Sequence, residues 1–143
     1  MKLSTKSRYG TRALIDIALH QEEQPIPLKA IARRQQISLF YLEQLIGPLI
    51  ESGILRSTRG AAGGVYLVRP SAEIKLGEVI ESLEGSLAMV GCVDDPKVCN
   101  RSQFCASRDV WIRLKKAMDD VLDSTTLQEL VEEQKSKHMI FSP

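Results

Sequence analysis

The chain has 143 residues, 43% of them hydrophobic and 26% charged, with a formal net charge of +1. These values are typical of a soluble globular protein with a real core and argue against a disordered chain. No run approaches the roughly 20 apolar residues of a membrane span, and the N-terminus has no apolar signal segment, so we expect neither a membrane partner nor export.

The net charge hides an uneven distribution along the chain. Residues 1–69 hold ten Lys or Arg and five Asp or Glu, a balance of +5, whereas residues 70–143 hold nine and thirteen, a balance of −4. A basic first half fits a nucleic-acid surface, and an acidic second half does not. The imbalance is small, but the excess of positive charge lies in the half that has the helix-turn-helix pattern described below.

The first predicted helix runs from Ser4 to about Gln21. Three cations, Lys6, Arg8 and Arg12, lie in its first turns, where they could reach DNA phosphates; ordinary solvated charge is the alternative for each. Its buried stripe is predicted from apolar residues at helical spacing: Ala13, Leu14, Ile17 and Ala18.

The next two predicted helices form a helix-turn-helix pattern. Residues 27–34 predict a short helix with Pro27 at its first position, and residues 35–37 join it to a longer helix. That helix lies between Ser38, a good N-cap, and Gly53, which can adopt the left-handed conformation that ends a helix. Because Pro48 lacks a backbone donor, we expect a kink there. The apolar face of the longer helix is Leu42, Leu45, Ile46, Leu49 and Ile50.

A helix, a short turn and a second helix make the geometry that places the second helix in a DNA major groove. An ordinary helical hairpin inside a core is the alternative interpretation. The outward face of the second helix is predicted to carry Phe40, Tyr41, Glu43, Gln44 and Gly47.

Residues 54–58 and 65–68 are two short β-prone runs around a glycine-rich segment, 59–64, which predicts a hairpin. A hairpin that directly follows a recognition helix is a wing. Its Arg59 is expected to enter a narrow minor groove, whose negative potential attracts arginine. A nucleotide-phosphate loop is disfavoured, because the segment has neither a GxGxxG pattern nor a Walker lysine, and a strand rather than a helix follows it.

Residues 69–71 are the natural boundary between a DNA-binding region, 1–70, and a second region, 71–143. A helix is predicted over 74–84 and a strong helix over 107–124. A last short helix, capped by Thr126, is expected from Leu127 to about Lys135, followed by a frayed tail to Pro143.

The helix over 107–124 has an unusually broad apolar face. Burial against a second copy of the chain would explain it, and burial in the chain's own core is the alternative. The residues assigned to dimerisation are Trp111, Leu114, Met118 and Val121.

Three cysteines, Cys92, Cys99 and Cys105, lie within fourteen residues of the segment 86–106. An odd number without an export signal indicates a reducing cytoplasm and thiols used for chemistry. Three thiolates on one loop can converge on zinc or an iron–sulfur cluster. The spacing matches neither zinc fingers nor the common ferredoxin patterns and is one ligand short of four, so three reduced thiols without metal remain the alternative.

An enzyme is a weak interpretation of this sequence. The two histidines, His20 and His138, are far apart, and no Ser/His/Asp arrangement or paired-carboxylate motif stands out.

Taken together, these segments resemble the Rrf-two family of bacterial transcription regulators, and most of all its IscR-type iron–sulfur regulators. The agreement extends over nearly the whole chain and in order, which is more specific than any one motif. The segments that carry it are 1–10, 38–45, the wing 58–64, 76–80, the three cysteines and 126–130.

The resemblance implies a mainly α-helical homodimer with a small β-wing: a winged helix-turn-helix and a long dimerisation helix in each subunit. It implies that Cys92, Cys99 and Cys105 hold a cluster, 2Fe-2S as in IscR-like members or 4Fe-4S as in some relatives, whose occupancy changes the DNA sites bound by a repressor or dual regulator. Among the DNA-facing residues, Glu43 matches the carboxylate that tunes sequence choice and Arg59 the wing arginine. Tyr41, Gln44 and Phe40 share their helix, Ser38 caps it and can donate to phosphate, and Lys6 and Arg8 join the double-stranded DNA contact.

The sequence departs from the family pattern at the fourth ligand. IscR-like proteins have a histidine three residues after the third cysteine, where this chain has Arg108, which has no lone pair for a metal. The aspartate that nitric-oxide-sensing relatives use is here Arg8. Remaining candidates are Asp94, Asp95, Asp109, Glu43 or an exogenous ligand, and a cluster-free regulator similar to the cysteine-metabolism regulator CymR stays open.

Overall fold

The computed structural model describes residues 2–141, with the backbone alone for 139–141. Within this range the chain forms seven α-helices and one two-stranded antiparallel sheet, linked in places by single 3-10 turns. In chain order the elements are α1 (Thr5–Leu19), α2 (Leu28–Gln35), α3 (Leu39–Glu51), β1 (Leu55–Thr58), β2 (Gly64–Leu67), α4 (Leu76–Glu84), α5 (Gly91–Asp94), α6 (Ala106–Asp123) and α7 (Leu127–Phe141).

One hydrophobic core joins both halves of the chain around α1. Leu14 and Ile17 of α1 are fully buried, and the predicted stripe of this helix is confirmed. The core also includes Leu127 and Val131 of α7, so the C-terminal region packs against the first helix. Each such aliphatic side chain contributes about 1.5–3 kcal/mol when fully buried. The predicted boundary at residues 69–71 therefore does not separate two hydrophobic cores.

The predicted ends of α3 are confirmed. The Ser38 Oγ accepts a hydrogen bond from the Tyr41 backbone N–H at 3.1 Å. At the other end, Gly53 is left-handed with φ 79°, its N–H donates to the Ile50 carbonyl, and the Ile54 N–H donates to the Leu49 carbonyl. This Schellman arrangement satisfies two carbonyls that the helix cannot pair internally. The helix continues through Pro48, where the expected kink stays a prediction.

The predicted hairpin is also confirmed, and it is attached to the segment before α2. Leu55 of β1 lies opposite Leu67 of β2. Ile26 and Val65 exchange two backbone hydrogen bonds of 2.9 Å, and a Cβ on Gly64 would clash with the Ile26 carbonyl oxygen. The wing is thereby held against the helix-turn-helix unit.

Two predicted boundaries were wrong. Pro27 is the N-cap of α2 rather than its first helical residue. The helix α7 reaches Phe141 instead of ending near Lys135, because its residues before Pro143 include no helix breaker and Lys137 pairs with Glu133 at 3.5 Å. Residues 142 and 143 of the expected frayed tail lie outside the described residues. The cysteine segment contains α5 and two 3-10 turns.

Candidate nucleic-acid interface and cysteine loop

The first turns of α1 and α3 are held side by side by two tyrosines. The Tyr9 and Tyr41 rings meet edge to face with centroids 6.1 Å apart and planes at 86°. The guanidinium carbon of Arg12 lies 4.9 Å from the Tyr9 centroid and that of Arg8 lies 5.9 Å away. Cation–π contacts of this kind contribute about 0.5–1 kcal/mol at exposed sites. The basic start of α1 is consequently next to the start of the predicted recognition helix.

Four residues predicted to face DNA are exposed on this side of α3 or at its cap: Ser38, Phe40, Glu43 and Gln44. The phenyl ring of Phe40 is the most open of the large apolar side chains on this helix, with 71% of its surface exposed. Recognition helices contact base edges with residues near their N-terminus, which is where these side chains lie.

Tyr41 does not belong to that exposed group. It is half-buried, packs against the core, and its hydroxyl is shielded without a hydrogen-bond partner among the described residues. Tyr41 was expected to face outward, and for its hydroxyl group this was wrong. The ring packs against Tyr9 of α1, in the contact between the two helices α1 and α3.

Lys6 and Arg8 are exposed on the first turns of α1, whose start is fixed by α4. The Ser4 backbone N–H and the Ser7 hydroxyl both donate to Glu84 Oε1, at 2.9 and 2.8 Å. Hydrogen bonding from Ser4, first from its side chain, and then from the Ser7 hydroxyl lowers the pKa of Glu84. The cations therefore project from a fixed helix end.

An ionic network around one buried carboxylate, Asp16, joins α1 to α2 and was not predicted from the sequence. Asp16 is only 3% exposed. Its carboxylate accepts hydrogen bonds from Arg34 Nη2 at 2.6 Å, from Arg34 Nε at 3.0 Å and from Gln35 Nε2 at 2.9 Å. The hydrogen bond to Asp16 raises the pKa of Arg34. Arg12 Nε in turn donates to Gln35 Oε1 at 3.0 Å. One signal was available: an acidic residue inside the apolar stripe of α1.

Arg59 lies exposed at the point where β1 ends and the wing tip begins. The tip is closed by a hydrogen bond from the Gly63 N–H to the Gly60 carbonyl at 3.0 Å, with Gly60 at φ 101°. The side chain is free to leave the protein surface, as a minor-groove contact requires.

Arg59→Ala is expected to weaken DNA binding by about 1–3 kcal/mol and to reduce the salt dependence of log K by about one. The loss follows from one fewer guanidinium near the phosphates and the minor groove. Titrations at several salt concentrations measure both quantities. Lys137→Ala, which removes one exposed charge on α7, is the matched control. Equal affinities for Arg59→Ala and the native protein at matched salt would contradict the wing assignment.

The three cysteines are free thiols on the connection between α4 and α6. Cys92 is half-buried in α5, Cys99 is exposed between two 3-10 turns, and Cys105 is half-buried as the N-cap residue of α6. The Ser107 hydroxyl, 3.2 Å from the Cys105 Sγ, and the Arg108 backbone N–H lower the pKa of Cys105. A thiolate is the form of cysteine that binds metals and reacts, and the lowered pKa favours this form at Cys105.

The donor types suit an iron–sulfur cluster, but their arrangement is not a preformed ligand set. Among the described residues, no three Cys, His, Asp or Glu side chains gather where a metal ion could be held. Arg108 donates its Nε hydrogen to the Cys92 carbonyl at 3.0 Å, which places its guanidinium against the backbone of the first cysteine. Binding a cluster would require the loop to rearrange.

The helix α6 presents an apolar face that its own chain leaves uncovered. No residue of this 18-residue helix is buried, although it packs against α4 and α5. The exposed fraction is 38% for Leu114 and 64% for Val121, and Trp111 and Met118 are half-buried. The chain itself therefore covers this face only in part.

The structure combines a helix-turn-helix, whose second helix is capped and exposes polar side chains, with an adjacent β-hairpin and basic residues at the start of α1. This combination defines a winged-helix, DNA-binding transcriptional regulator. The family model described as "Rrf2: Iron-dependent Transcriptional regulator" matches residues 3–133. The chain belongs to the Rrf2 family, as the sequence resemblance predicted.

Similar proteins include an rrf2 protein, the cysteine regulator CymR and an IscR. "Protein rrf2" of Nitratidesulfovibrio vulgaris is 45% identical, over 92% of this chain and 87% of that protein. The solved structure of CymR, named as the global cysteine regulator of B. subtilis, is 40% identical with a TM-score of 0.77, covering 93% of this chain and 98% of that one. The structure of T. potens IscR is 41% identical with a TM-score of 0.76, covering 94% and 88%.

The family and these relatives are transcriptional regulators rather than enzymes, as the sequence predicted. Among the helices of residues 2–141, none combines the length and apolarity needed to cross a membrane.

Proposed function

We propose that the chain is a homodimeric repressor or dual regulator that binds double-stranded DNA through α3 and the wing and senses iron–sulfur status. In this proposal residues 1–70 bind DNA, and residues 71–143 carry the dimer face and the cluster ligands Cys92, Cys99 and Cys105. The observation that carries it is three unpaired thiols on one loop that ends at the N-cap of α6, the helix with the uncovered apolar face. A bound cluster, 2Fe-2S in the first instance and 4Fe-4S as the alternative, would supply iron held by thiolates.

The contacts of α6 support communication between the cysteine loop and the DNA-binding half. Lys115 of α6 pairs with Asp119 at 2.7 Å, and this contact, with smaller contributions from Asp94 and Glu81, raises the pKa of Lys115. The cysteine loop, α4 and α6 therefore meet around one cation, and α4 packs against α1. Rearranging the loop would shift this assembly, and couplings between sites of this kind are usually about 1–3 kcal/mol.

A second candidate is a cluster-free regulator that responds to thiol oxidation or to a partner protein. The observation that favours it is Arg108, which stands where IscR-like proteins have histidine and is bonded to the Cys92 carbonyl. The similarity to CymR supports the same alternative.

Protein purified without oxygen separates the two candidates. The cluster regulator should carry iron and sulfide and show broad absorption between about 320 and 460 nm, and the iron count per chain distinguishes 2Fe-2S from 4Fe-4S. Cys99→Ala should lose iron, sulfide and colour together. Ser102→Ala is the control in the same loop, because its hydroxyl only donates to the Cys99 carbonyl at 2.9 Å. Colourless native protein, even after reconstitution with iron and sulfide, would favour the cluster-free candidate.

Arg108→His is expected to slow cluster loss in air, because it supplies a nitrogen lone pair at the position where the family ligand stands. The half-life of the visible absorption measures the effect. Arg108→Gln, which removes the charge without supplying an imidazole, is the matched control. A half-life that rises equally in both variants would assign the effect to the lost guanidinium instead.

Glu43→Ala is expected to relax sequence discrimination by about 1–3 kcal/mol at one base pair of each half-site. A carboxylate in the groove can accept from cytosine N4 and repels bases that present acceptors. Affinities for a panel of single-base site variants check this. An unchanged order of preference across the panel would remove Glu43 from the base-reading group.

A further inference from the structure

The most exposed apolar group on α3 is Phe40, whose ring is 71% exposed in the first turn of the helix. Its nearest neighbours on the helix surface, three and four residues further on, are Glu43 and Gln44, both exposed and polar. An isolated exposed apolar side chain is common on proteins and indicates nothing by itself. Here the ring stands two residues after the Ser38 cap, in the part of a recognition helix that contacts base edges.

The chemistry of the major groove leaves few partners for a phenyl ring. The base edges there present hydrogen-bond donors and acceptors, together with one apolar group, the C5-methyl of thymine. A phenyl ring against a donor or acceptor would desolvate it without pairing it, which is unfavourable. Against a methyl group it removes apolar surface from water on both sides.

We propose that Phe40 is a specificity-determining residue that selects thymine in each half-site by contact with its C5-methyl group. This inference rests on the proposed DNA-binding function and adds to it the base and the atom that are recognised. The helical neighbours of Phe40 fix where that thymine lies: in the base pair next to those that Glu43 and Gln44 contact. A methylated cytosine, which presents the same methyl group, satisfies the same contact.

Selection from a randomised duplex library supplies bound sequences for the test. In a selected site, each thymine is replaced singly by uracil, which removes the methyl group and keeps every hydrogen-bonding group. At one position in each half-site, native protein should lose about fourfold in affinity, the value of one buried methyl group, and about fifteenfold when both half-sites are changed. Phe40→Ala should bind the thymine and uracil duplexes equally.

Two further measurements separate methyl recognition from a general loss of binding. At the same position, native protein should prefer 5-methylcytosine over cytosine by a similar factor, whereas Phe40→Ala should show no preference. Phe40→Leu, which keeps an apolar side chain, should retain part of the preference, and Gln44→Ala should retain all of it. Thermal unfolding of Phe40→Ala should match that of native protein, because the ring is exposed.

The possible results distinguish a failure of methyl recognition by Phe40 from a failure of DNA binding itself. If native protein enriches defined duplexes but tolerates uracil at every position, or if Phe40→Ala keeps the methyl preference, methyl recognition by Phe40 is overturned and DNA binding stands. If no duplex is enriched above non-specific binding, the proposed DNA-binding function fails, and the inference fails with it.

Discussion

Asp16→Ala should lower the free energy of unfolding by about 1.5–3 kcal/mol, the usual contribution of hydrogen bonds made by a charged group. The carboxylate is 3% exposed and accepts hydrogen bonds from both Arg34 and Gln35. Its loss leaves these donors without their acceptor at the junction of α1 and α2. Urea unfolding followed by circular dichroism measures the change. The protein concentration is kept fixed, because the stability of the proposed dimer depends on it.

Glu133→Ala is the matched control, since it removes a carboxylate from an exposed ion pair with Lys137. Such surface pairs contribute about 0–1 kcal/mol. A double-mutant cycle with Arg34→Ala isolates the coupling between Asp16 and Arg34. If Asp16→Ala costs no more than Glu133→Ala, the network is not what holds the helix-turn-helix unit to α1.

Local patterns were sufficient for the elements whose signals are contiguous in the sequence. The apolar spacing of Leu42, Leu45 and Leu49 predicted the buried face of α3, and Ser38 and Gly53 predicted its ends, because caps and periodicity act within a few residues. The β-prone runs around the glycine-rich tip predicted the wing for the same reason. The family resemblance added the order of these elements and the expected role of each.

Long-range pairings could not be predicted in this way. Asp16 and Arg34 lie eighteen residues apart, and Tyr9 and Tyr41 lie on different helices, so no local pattern specifies that they meet. The burial of the Tyr41 hydroxyl follows from that second contact. In the cysteine loop, spacing predicted that three thiols could converge, whereas the structure places the Arg108 side chain against the Cys92 carbonyl. Convergence depends on loop conformation, which residue spacing does not determine.

The breadth of the apolar face on α6 was visible in the sequence, but what covers it was not. In the structure of the single chain no residue of this 18-residue helix is buried, so the chain's own core does not cover the face completely. Val110, Leu114 and Val121 are exposed along it. A second copy of the same face, as proposed for the dimer, would bury these side chains along the length of the helix.

Leu114→Glu is therefore expected to raise the dimer dissociation constant at least about 100-fold, equivalent to about 3 kcal/mol. Leu114 lies midway along α6, so in a two-fold dimer a carboxylate there is buried without a partner in both subunits, and burying an unpaired charge is strongly unfavourable. Sedimentation velocity at micromolar concentration should then show monomer in place of dimer. DNA affinity should fall with it, because two linked recognition helices bind a pair of half-sites far more tightly than one.

Lys116→Glu places the same carboxylate on the opposite side of the helix, where Lys116 is 74% exposed and paired with Asp120 at 3.0 Å. This control variant should remain dimeric and bind DNA nearly as native protein does. Circular dichroism should show that both variants keep their helical content, since Leu114 lies outside the buried core. A Leu114→Glu protein that stays dimeric would mean that α6 is not the dimer face, and the partner of its apolar surface would then have to be another protein.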